Sequence, residues 1–305
     1  MNGIRGKIKS IETAAITQAA HVITITETKG TPPKINGYSN WYTKTRENNR
    51  GGGVAIAVRE DLANKCQPVD DLEDQNQEIK WIQITTSQNN NMFIGVYYGK
   101  QEKEPLENVE REFSQIKAQI TKLRAKGPII LTGDFNAKIK VNKHGEKIQD
   151  TSRNGTHLEK LLEDMDLCPI TTKSNTGAWT RVNRNHPQER SIIDYIIVRS
   201  QDEGNVTENV VDEKGALRIS GMKETDHNTM IVSLKCPISK ATKVIKKWKI
   251  SNTDGWKKYN TKMAEMNREL LHNYSNFERE MNKILEETVG STKIRIGKKN
   301  QTSIE

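Results

Sequence analysis

A short apolar segment that ends in an acid and an amide constrains this chain more than any other feature. Residues 129–136 read IILTGDFN. The apolar run at 129–131 predicts a buried strand. Asp134 and Asn136 follow it two residues apart, so both side chains can point into one cleft while Phe135 packs inward. An acid that orients water beside an amide that holds an oxyanion suits phosphate-ester chemistry, although a plain Asx turn gives the same letters.

Further polar residues stand at the ends of strand-like runs elsewhere in the chain. These are Asn2-Gly3, Glu27, Tyr97, Trp179-Thr180, Asp194 and the TDHN segment 225–228. Helical spacing of apolar residues predicts helices over 7–20, 106–126 and 154–166. Strands are predicted over 22–26, 54–58, 79–86, 92–98 and the MIVSL segment 230–234, with a hairpin at 79–98. Alternating strands and helices with polar groups at strand ends predict a sheet-based α/β domain.

Taken in order, these motifs resemble the endonuclease/exonuclease/phosphatase superfamily over residues 1–237. GDFN, the IDYIIV run from Ile193 and the TDH triplet from Thr225 are the most specific parts. More narrowly, RGGGVAI from Arg50, TGDFNAKI, Asn154-Gly155 before a leucine-spaced helix, DLCPITT and AWTR resemble the endonuclease domains of LINE-type (non-LTR) retrotransposons. The resemblance implies an α/β fold, a four-layered α/β sandwich in which two packed mixed sheets are flanked by helices.

The resemblance also implies a catalytic centre built on a histidine and several acids. Glu27 corresponds to a metal-binding glutamate, and Asp226 is a second or water-mediated ligand for Mg²⁺, with Mn²⁺ as the alternative. His227 meets the phosphate oxygen, either as a general base or as a cationic donor, and Asp194 orients its ring. Whether His227 or Asp134 takes the proton of the attacking water stays open.

Amide and aromatic residues complete the implied substrate site. Asn2 and Asn136 resemble the family's paired amides, which hold the phosphate and Asp134, and Tyr97 resembles its phosphate-contacting tyrosine. Trp179 either stacks near DNA or packs in the core, and we expect packing. Family members usually have a full strand before the Asn-Gly dipeptide, so we expect the first strand of this chain to be truncated and Asn2 to lie on a frayed terminus.

Charge and cysteine content bound the environment. The chain of 305 residues carries a net charge of +9. Segment 238–305 holds 15 basic and 8 acidic side chains, which leaves segment 1–237 near neutrality. Phosphate affinity is therefore expected mainly from the basic tail. No stretch approaches the length of a membrane span, so no membrane partner is expected. Three scattered cysteines favour a reducing intracellular compartment, and the retroelement resemblance favours the nucleus.

Segment 238–305 is predicted to be an appendage to the domain at 1–237. A basic segment at 240–249 precedes a single amphipathic helix from Asp254 to Leu285, and segment 293–305 is expected to be flexible. In LINE-type proteins a similar tryptophan-containing segment joins the endonuclease to a reverse transcriptase.

Three functions fit these observations. The leading hypothesis is a Mg²⁺-dependent DNA endonuclease that nicks one strand and leaves a 3′-hydroxyl for primed reverse transcription. The alternatives are an abasic-site or exonuclease III-like repair nuclease, and a truncated, inactive domain that only binds nucleic acid.

Overall fold

The computed structural model describes most of the chain. The described residues are 8–30, 35–38, 40–45, 51–86, 91–140, 146–172, 178–183, 185–213, 226–235, 243–248, 252–265 and 274–296. The predicted site residue Asn2 and the predicted motif residue Thr225 lie outside them. Two compact units divide the chain, Met1–Ser239 and Lys240–Glu305. Among the described residues, no helix is both long enough and apolar enough to cross a membrane.

The described part of the chain contains five α-helices and fifteen strands. The helices are α1 Ile8–Thr17, α2 Leu106–Arg124, α3 Arg153–Asp164, α4 Thr253–Ala264 and α5 Tyr274–Thr288. The strands are β1 Val22–Thr26, β2 Asn40–Lys44, β3 Val54–Val58, β4 Cys66–Pro68, β5 Ile79–Thr85, β6 Asn91–Tyr98, β7 Ile129–Asp134, β8 Leu167–Pro169, β9 Arg181–Val182, β10 Arg190–Ser191, β11 Asp194–Arg199, β12 Val206–Val211, β13 Met230–Leu234, β14 Lys243–Trp248 and β15 Ser291–Ile296.

A six-stranded mixed sheet forms the centre of the first unit, in the order β4-β5-β6-β7-β11-β8. β6 and β7 run parallel, while the other neighbours are antiparallel. β7 is therefore an interior strand. In its register, Asp134 lies opposite Asp194 on one side and Tyr98 on the other. Asp134 of the GDFN segment thus lies between Asp194, which begins β11, and Tyr98, which ends β6.

A second layer of strands packs on one face of this sheet. The three-stranded sheet β1-β3-β2 and the pair β12-β13 both contact the apolar face formed by β5, β6, β7 and β11. Val54, Ile56 and Val58 of β3 are wholly inaccessible to solvent there. The Thr132 hydroxyl of β7 donates to the Thr24 hydroxyl of β1 at 3.0 Å, which fixes the two layers against each other.

Helices cover the outer faces of both layers. α2 and α3 pack on the free face of the six-stranded sheet, with Ile116 and Leu158 fully buried. α1 packs through Ala15 on the three-stranded sheet. Each fully buried aliphatic side chain contributes roughly 1.5–3 kcal/mol of transfer free energy. The order helix, sheet, sheet, helix confirms the predicted four-layered sandwich.

Most predicted elements of the first unit are present with small shifts of their ends. The predicted helices correspond to α1, α2 and α3, and the predicted hairpin is the antiparallel pair β5-β6. Asp194, expected at the end of a strand-like run, is instead the first residue of β11. The apolar residues before it are buried in a bend held by the Gln149 and Thr180 side chains and by the Phe135 amide, which donates to the Ile193 carbonyl at 2.8 Å.

The second unit differs from its predicted form. Two helices, α4 and α5, replace the single predicted helix, and Asn252 rather than Asp254 caps α4 by accepting a hydrogen bond from the Gly255 amide. The expected flexibility of segment 293–305 was wrong for 293–296, which lie in β15 and pair with β14. Both segments, KVIKKW and STKIRI, contain β-branched residues, and STKIRI alternates them with basic ones, a strand signal that the charge of the segments obscured.

Candidate active site

The GDFN segment turns sharply at its glycine and its asparagine. Gly133 has φ of +135°, and a Cβ there would lie 1.9 Å from the carbonyl oxygen of Tyr97, so only glycine fits. Asn136 has φ of +48°, a conformation that asparagine tolerates better than most residues. Its backbone amide donates to Asp134 Oδ1 at 2.9 Å and its side-chain amide donates to the Gly99 carbonyl at 2.9 Å. The backbone of Asn136 therefore fixes Asp134, whereas its carboxamide, which was predicted to hold the phosphate and Asp134, bonds to Gly99; Phe135 packs inward.

Asp134, Asp194 and His227 meet at the ends of three strand segments. His227 Nδ1 lies 2.9 Å from Asp194 Oδ2, and His227 Nε2 lies 3.8 Å from Asp134 Oδ2. Both carboxylates are buried, with 4% and 6% of their surfaces exposed, whereas the His227 side chain is 18% exposed. The bond to Asp194 orients the ring so that Nε2 faces Asp134. The predicted Asp194–His227 pair is therefore present, with Asp134 beside it.

Burial and like charge set the protonation of this cluster. Burial, together with the neighbouring Asp194 carboxylate, raises the pKa of Asp134 to about 7 despite the opposing effect of His227. Burial by itself would lower the pKa of His227, but the Asp194 carboxylate, its hydrogen bond and the Asp134 carboxylate raise it to about 9. At neutral pH the imidazole is therefore a cation, and Asp134 lies near the midpoint of its titration.

Asp226 lies at the rim of the cluster and is held by an arginine. Its Oδ1 is 3.9 Å from His227 Nε2, and its Oδ2 accepts from Arg181 Nε at 3.0 Å. Burial opposes ionisation, but His227 and Arg181 together lower the pKa of Asp226 below its usual range. Asp226 thus stays an ionised carboxylate at neutral pH, with one of its two oxygens bonded to the Arg181 guanidinium.

Glu27 reaches the same end of the sandwich from the second layer. It follows β1 with φ of +54°, an unusual conformation for a glutamate, and its Oε1 accepts from the Tyr98 hydroxyl at 2.5 Å. Because Tyr98 is paired with Asp134 in the sheet register, this bond ties Glu27 to the strand that neighbours the buried cluster. Among the described residues, the possible metal-ligand atoms of Asp134, Asp194 and His227 lie within 4.8 Å of one another, and Glu27 does not belong to this group.

Tyr97, predicted to contact phosphate, points away from Glu27 and into the core. Its side chain is 1% exposed, and its hydroxyl donates to Glu112 Oε2 of α2 at 2.7 Å. Its ring packs edge-on against Phe135 at a centroid distance of 5.1 Å. Neighbouring residues of a strand face opposite sides of the sheet. Tyr98 accordingly faces the layer that carries Glu27, whereas Tyr97 faces the helices.

A profile of the Endonuclease/Exonuclease/phosphatase family matches residues 2–227. The chain belongs to this family. A search of curated protein sequences gives no significant match.

Solved structures share the fold. The endonuclease domain of TRAS1, a telomere-specific non-LTR retrotransposon, is 22% identical with a TM-score of 0.57, over 76% of this chain and 95% of that one. The catalytic domain of APE2 from Xenopus laevis is 16% identical with a TM-score of 0.59, over 78% and 91%. A 3′ phosphatase, NExo, from Neisseria, bound to a product DNA hairpin, is 18% identical with a TM-score of 0.58, over 76% and 96%.

The two buried carboxylates of this family member fit a divalent cation, whereas the His227 imidazolium, itself a cation, offers it no lone pair. Enzymes of the endonuclease/exonuclease/phosphatase family are generally dependent on divalent metals, and one atom each from Asp134, Asp194 and His227 lies within 4.8 Å of the others. Carboxylate oxygens are the ligands that small hard cations prefer. Burial and the Asp194 carboxylate raise the pKa of Asp134 although His227 lies beside it, so a further positive charge would favour the ionised form of both acids. A cation beside them would supply it.

Three site residues were not assigned a role from the sequence. Tyr98 was missed because its neighbour Tyr97 matched the family pattern, although the alternation of side chains along β6 was a usable signal. Arg181 was noted only as part of the AWTR resemblance, and Thr180 was noted there and among the polar residues at strand ends, without a role for either. Trp179 packs against the helix-side core and carries Arg190 over its ring at 4.7 Å, so the packing that we expected is present.

Proposed function

We propose that this chain is a metal-dependent DNA endonuclease that nicks one strand by hydrolysis and leaves a 3′-hydroxyl, as in LINE-type elements. The observation that carries the proposal is the Asp194–His227 pair facing Asp134 at the strand ends. The oriented imidazolium can donate a hydrogen bond to the anionic phosphodiester. The neighbouring carboxyl group, whose pKa is close to neutral pH, can accept a proton from water.

The geometry favours one division of roles between His227 and Asp134. Because two carboxylates keep His227 protonated, it acts as a cationic donor from Nε2 to a non-bridging phosphate oxygen. Asp134, whose pKa is near neutrality, accepts the proton of the attacking water. Water attacks phosphorus as its proton passes to Asp134, the bond from phosphorus to the 3′ oxygen breaks, and the leaving 3′ oxygen takes a proton from solvent. The products carry a 5′-phosphate and a 3′-hydroxyl. Asn136 holds Asp134 in place through its backbone amide.

We propose Glu27 and Asp226 as ligands of the divalent cation, with Mg²⁺ preferred over Mn²⁺, beside the Asp134 carboxylate. When bound, the cation would neutralise charge on the phosphoryl group and on the leaving oxygen. Tyr98 fixes the Glu27 carboxylate, and Arg181 fixes the Asp226 carboxylate. These two bonds hold both proposed ligands in place before a cation binds.

DNA is the proposed partner, and two arguments favour it over a small phosphorylated substrate. The LINE-like segments run through the matched domain, and the retrotransposon TRAS1 endonuclease shares the fold. In a parent element we propose that the chain acts with a reverse transcriptase, within the cell and in the nucleus. A repair nuclease acting on abasic sites is the second candidate, because AP endonucleases share the same fold.

A plasmid assay tests the proposal. We expect the full chain with Mg²⁺ to convert intact supercoiled DNA to the nicked circle, and EDTA to stop the reaction. His227→Ala should lower the rate by about 10²–10⁴-fold, since it removes the group that contacts the phosphate. The matched control is His21→Ala, which replaces an exposed histidine next to the opposite end of β1 and should leave the rate unchanged.

The product ends and the substrate choice separate the candidates. Nicks that a DNA polymerase extends directly carry the predicted 3′-hydroxyl. Cleavage confined to duplexes with an abasic site would favour the repair nuclease instead. Salt-sensitive DNA binding without cleavage at any metal concentration would mean that the domain only binds nucleic acid.

A further inference from the structure

The hydroxyl of Thr180 is buried beneath the Asp194–His227 pair. Thr180 has no exposed surface, and its Oγ1 accepts hydrogen bonds from the backbone amides of Ile193 and Asp194, both at 3.1 Å. The same hydroxyl donates to the Ser191 carbonyl at 3.5 Å. The three groups span the bend from Ser191 in β10 to Asp194, the first residue of β11. The backbone of this bend is held by the Thr180 hydroxyl, by the Gln149 side chain at Ile192, and by the Phe135 amide, which donates to the Ile193 carbonyl at 2.8 Å.

The backbone of the same segment holds the other member of the pair. The Thr180 carbonyl accepts from the Asn228 amide at 2.7 Å, and the Val182 amide donates to the Asp226 carbonyl at 2.7 Å. The Asn228 side-chain amide donates to the Trp179 carbonyl. His227 lies between these anchor points and is paired with Arg181 in an isolated bridge. Residues 179–182 therefore connect the chain before Asp194 to the chain around His227.

This connection sets the distance between two groups that come from separate parts of the chain. Asp194 and His227 are 33 residues apart, and their side chains meet at 2.9–3.0 Å. Two buried amide groups without an acceptor would each cost free energy, so the bend would move to satisfy them if the hydroxyl were lost. A shift of the Asp194 backbone displaces its carboxylate from His227 Nδ1.

We propose that Thr180 is a positioning residue that holds Asp194 in register with His227, through its hydroxyl on one side and its carbonyl on the other. The proposal rests on the proposed nuclease function for its kinetic consequence but not for its structural one. Thr180 touches neither the phosphate nor a cation in this scheme. Its effect passes through Asp194.

A second buried threonine provides a matched control. Thr171 also has no exposed surface, and its hydroxyl accepts from the Ile196 amide of the same strand at 2.8 Å, two residues beyond Asp194. Valine at either position keeps the shape of the side chain and removes the acceptor. Thr171→Val therefore reproduces the loss of a buried hydrogen bond to β11 without touching the bend at Asp194. Serine at position 180 keeps the hydroxyl and removes only a methyl group.

The experiment compares three variants of the full chain in nicking kinetics and in NMR of the His227 ring. We expect Thr180→Val to lower kcat about 10–100-fold with KM within about twofold, since small misplacements of catalytic groups cost this much. Thr180→Ser should restore kcat to within about threefold of the unmodified chain. Thr171→Val should lower Tm as Thr180→Val does, with kcat within about twofold of the unmodified chain.

The NMR measurement does not depend on DNA cleavage, so it tests the role of Thr180 even if the proposed nuclease function is wrong. The proton on His227 Nδ1 that bonds to Asp194 should give a downfield resonance in the unmodified chain and in Thr171→Val, and lose or shift it in Thr180→Val. An unmodified chain that never nicks DNA overturns the proposed function, and the resonance then decides the role of Thr180. An unaltered resonance in Thr180→Val, or equal kcat values for the two valine variants, overturns the positioning role.

Discussion

Two buried charge clusters in this chain contain one cation and two acids each, yet they are built in opposite ways. In the first, Lys80 of β5 is 8% exposed and bonds to Asp70 and Glu73, whose side chains are 68% and 34% exposed. In the second, the acids Asp134 and Asp194 are buried and the cation, His227, is the more exposed member. In the first cluster the cation is buried and the acids remain in contact with water. The second hides the acids.

The difference separates an ion pair whose charges are settled from a cluster whose protonation suits the proposed chemistry. The acids of Lys80 remain hydrated, and the lysine keeps its proton because they raise its pKa against the effect of burial. The acids of His227 lose hydration, so Asp134 is held near its titration midpoint. Groups poised in this way are concentrated at functional sites, whereas a fully neutralised pair is not.

Removal of one charge from each cluster is the strongest test of this contrast. Asp134→Asn should lower the nicking rate about 10²–10⁴-fold, since an amide cannot accept the proton of water. Lys80→Met should leave kcat within about twofold, because the acids that Lys80 bonds lie outside the catalytic cluster. The measurement is single-turnover nicking at saturating Mg²⁺. Equal losses in the two variants would mean that both act only through folding.

The second-largest expected effect is on the pH dependence of the free energy of unfolding, which should differ between the two clusters. The folded-state pKa of His227, about 9, exceeds its ordinary value of 6.5, so its stabilisation is complete below pH 6.5 and is lost as pH rises through 9. The shift corresponds to roughly 3 kcal/mol. Asp134 has a pKa raised from 3.8 to about 7, and so it too favours the folded state at low pH and disfavours it as pH rises through 7.

Chemical denaturation of the metal-free chain between pH 5 and 10 measures how the free energy of unfolding changes with pH. We expect the free energy of unfolding to fall with pH across this range, and Asp134→Asn to flatten the part below pH 7. Lys80→Met should keep the slope of the unmodified chain. A free energy of unfolding that is constant from pH 5 to 10 would contradict the assigned protonation states.

The adjacent tyrosines of β6 give the smallest and most local test. Tyr98→Phe removes the donor to Glu27 and should weaken the apparent Mg²⁺ affinity about tenfold, as loss of a ligand's hydrogen-bond partner typically does. Tyr97→Phe removes the bond to Glu112 and should leave that affinity unchanged. The readout is the Mg²⁺ concentration at half-maximal nicking, with calorimetric titration of Mg²⁺ as the second measurement. The same weakening in both variants would argue against Glu27 as a ligand.

The sequence predicted the parts of the site that depend on local pattern. The strand at 129–134, the inward Phe135 and the Asp194–His227 pair followed from alternation and from motif order. Tyr97 was assigned to substrate on motif order, although the structure directs it to α2, because register between strands is not visible in one sequence. The role of Thr180 could not be anticipated either, since its partners Ile193 and Asp194 lie 13 and 14 residues away, at the entry to β11, and no periodic pattern marks the contact.

Gly133 carries a consequence for any attempt to redesign this enzyme. A single added carbon would lie 1.9 Å from the Tyr97 carbonyl, so β6 and β7 approach each other at this point without any intervening side chain. A clash with backbone cannot be relieved by a change of rotamer, so this position does not accept a side chain. A library that varies the site should therefore keep residue 133 constant and seek new specificity in the exposed β9-β10 connection, where backbone and side chains have room to change.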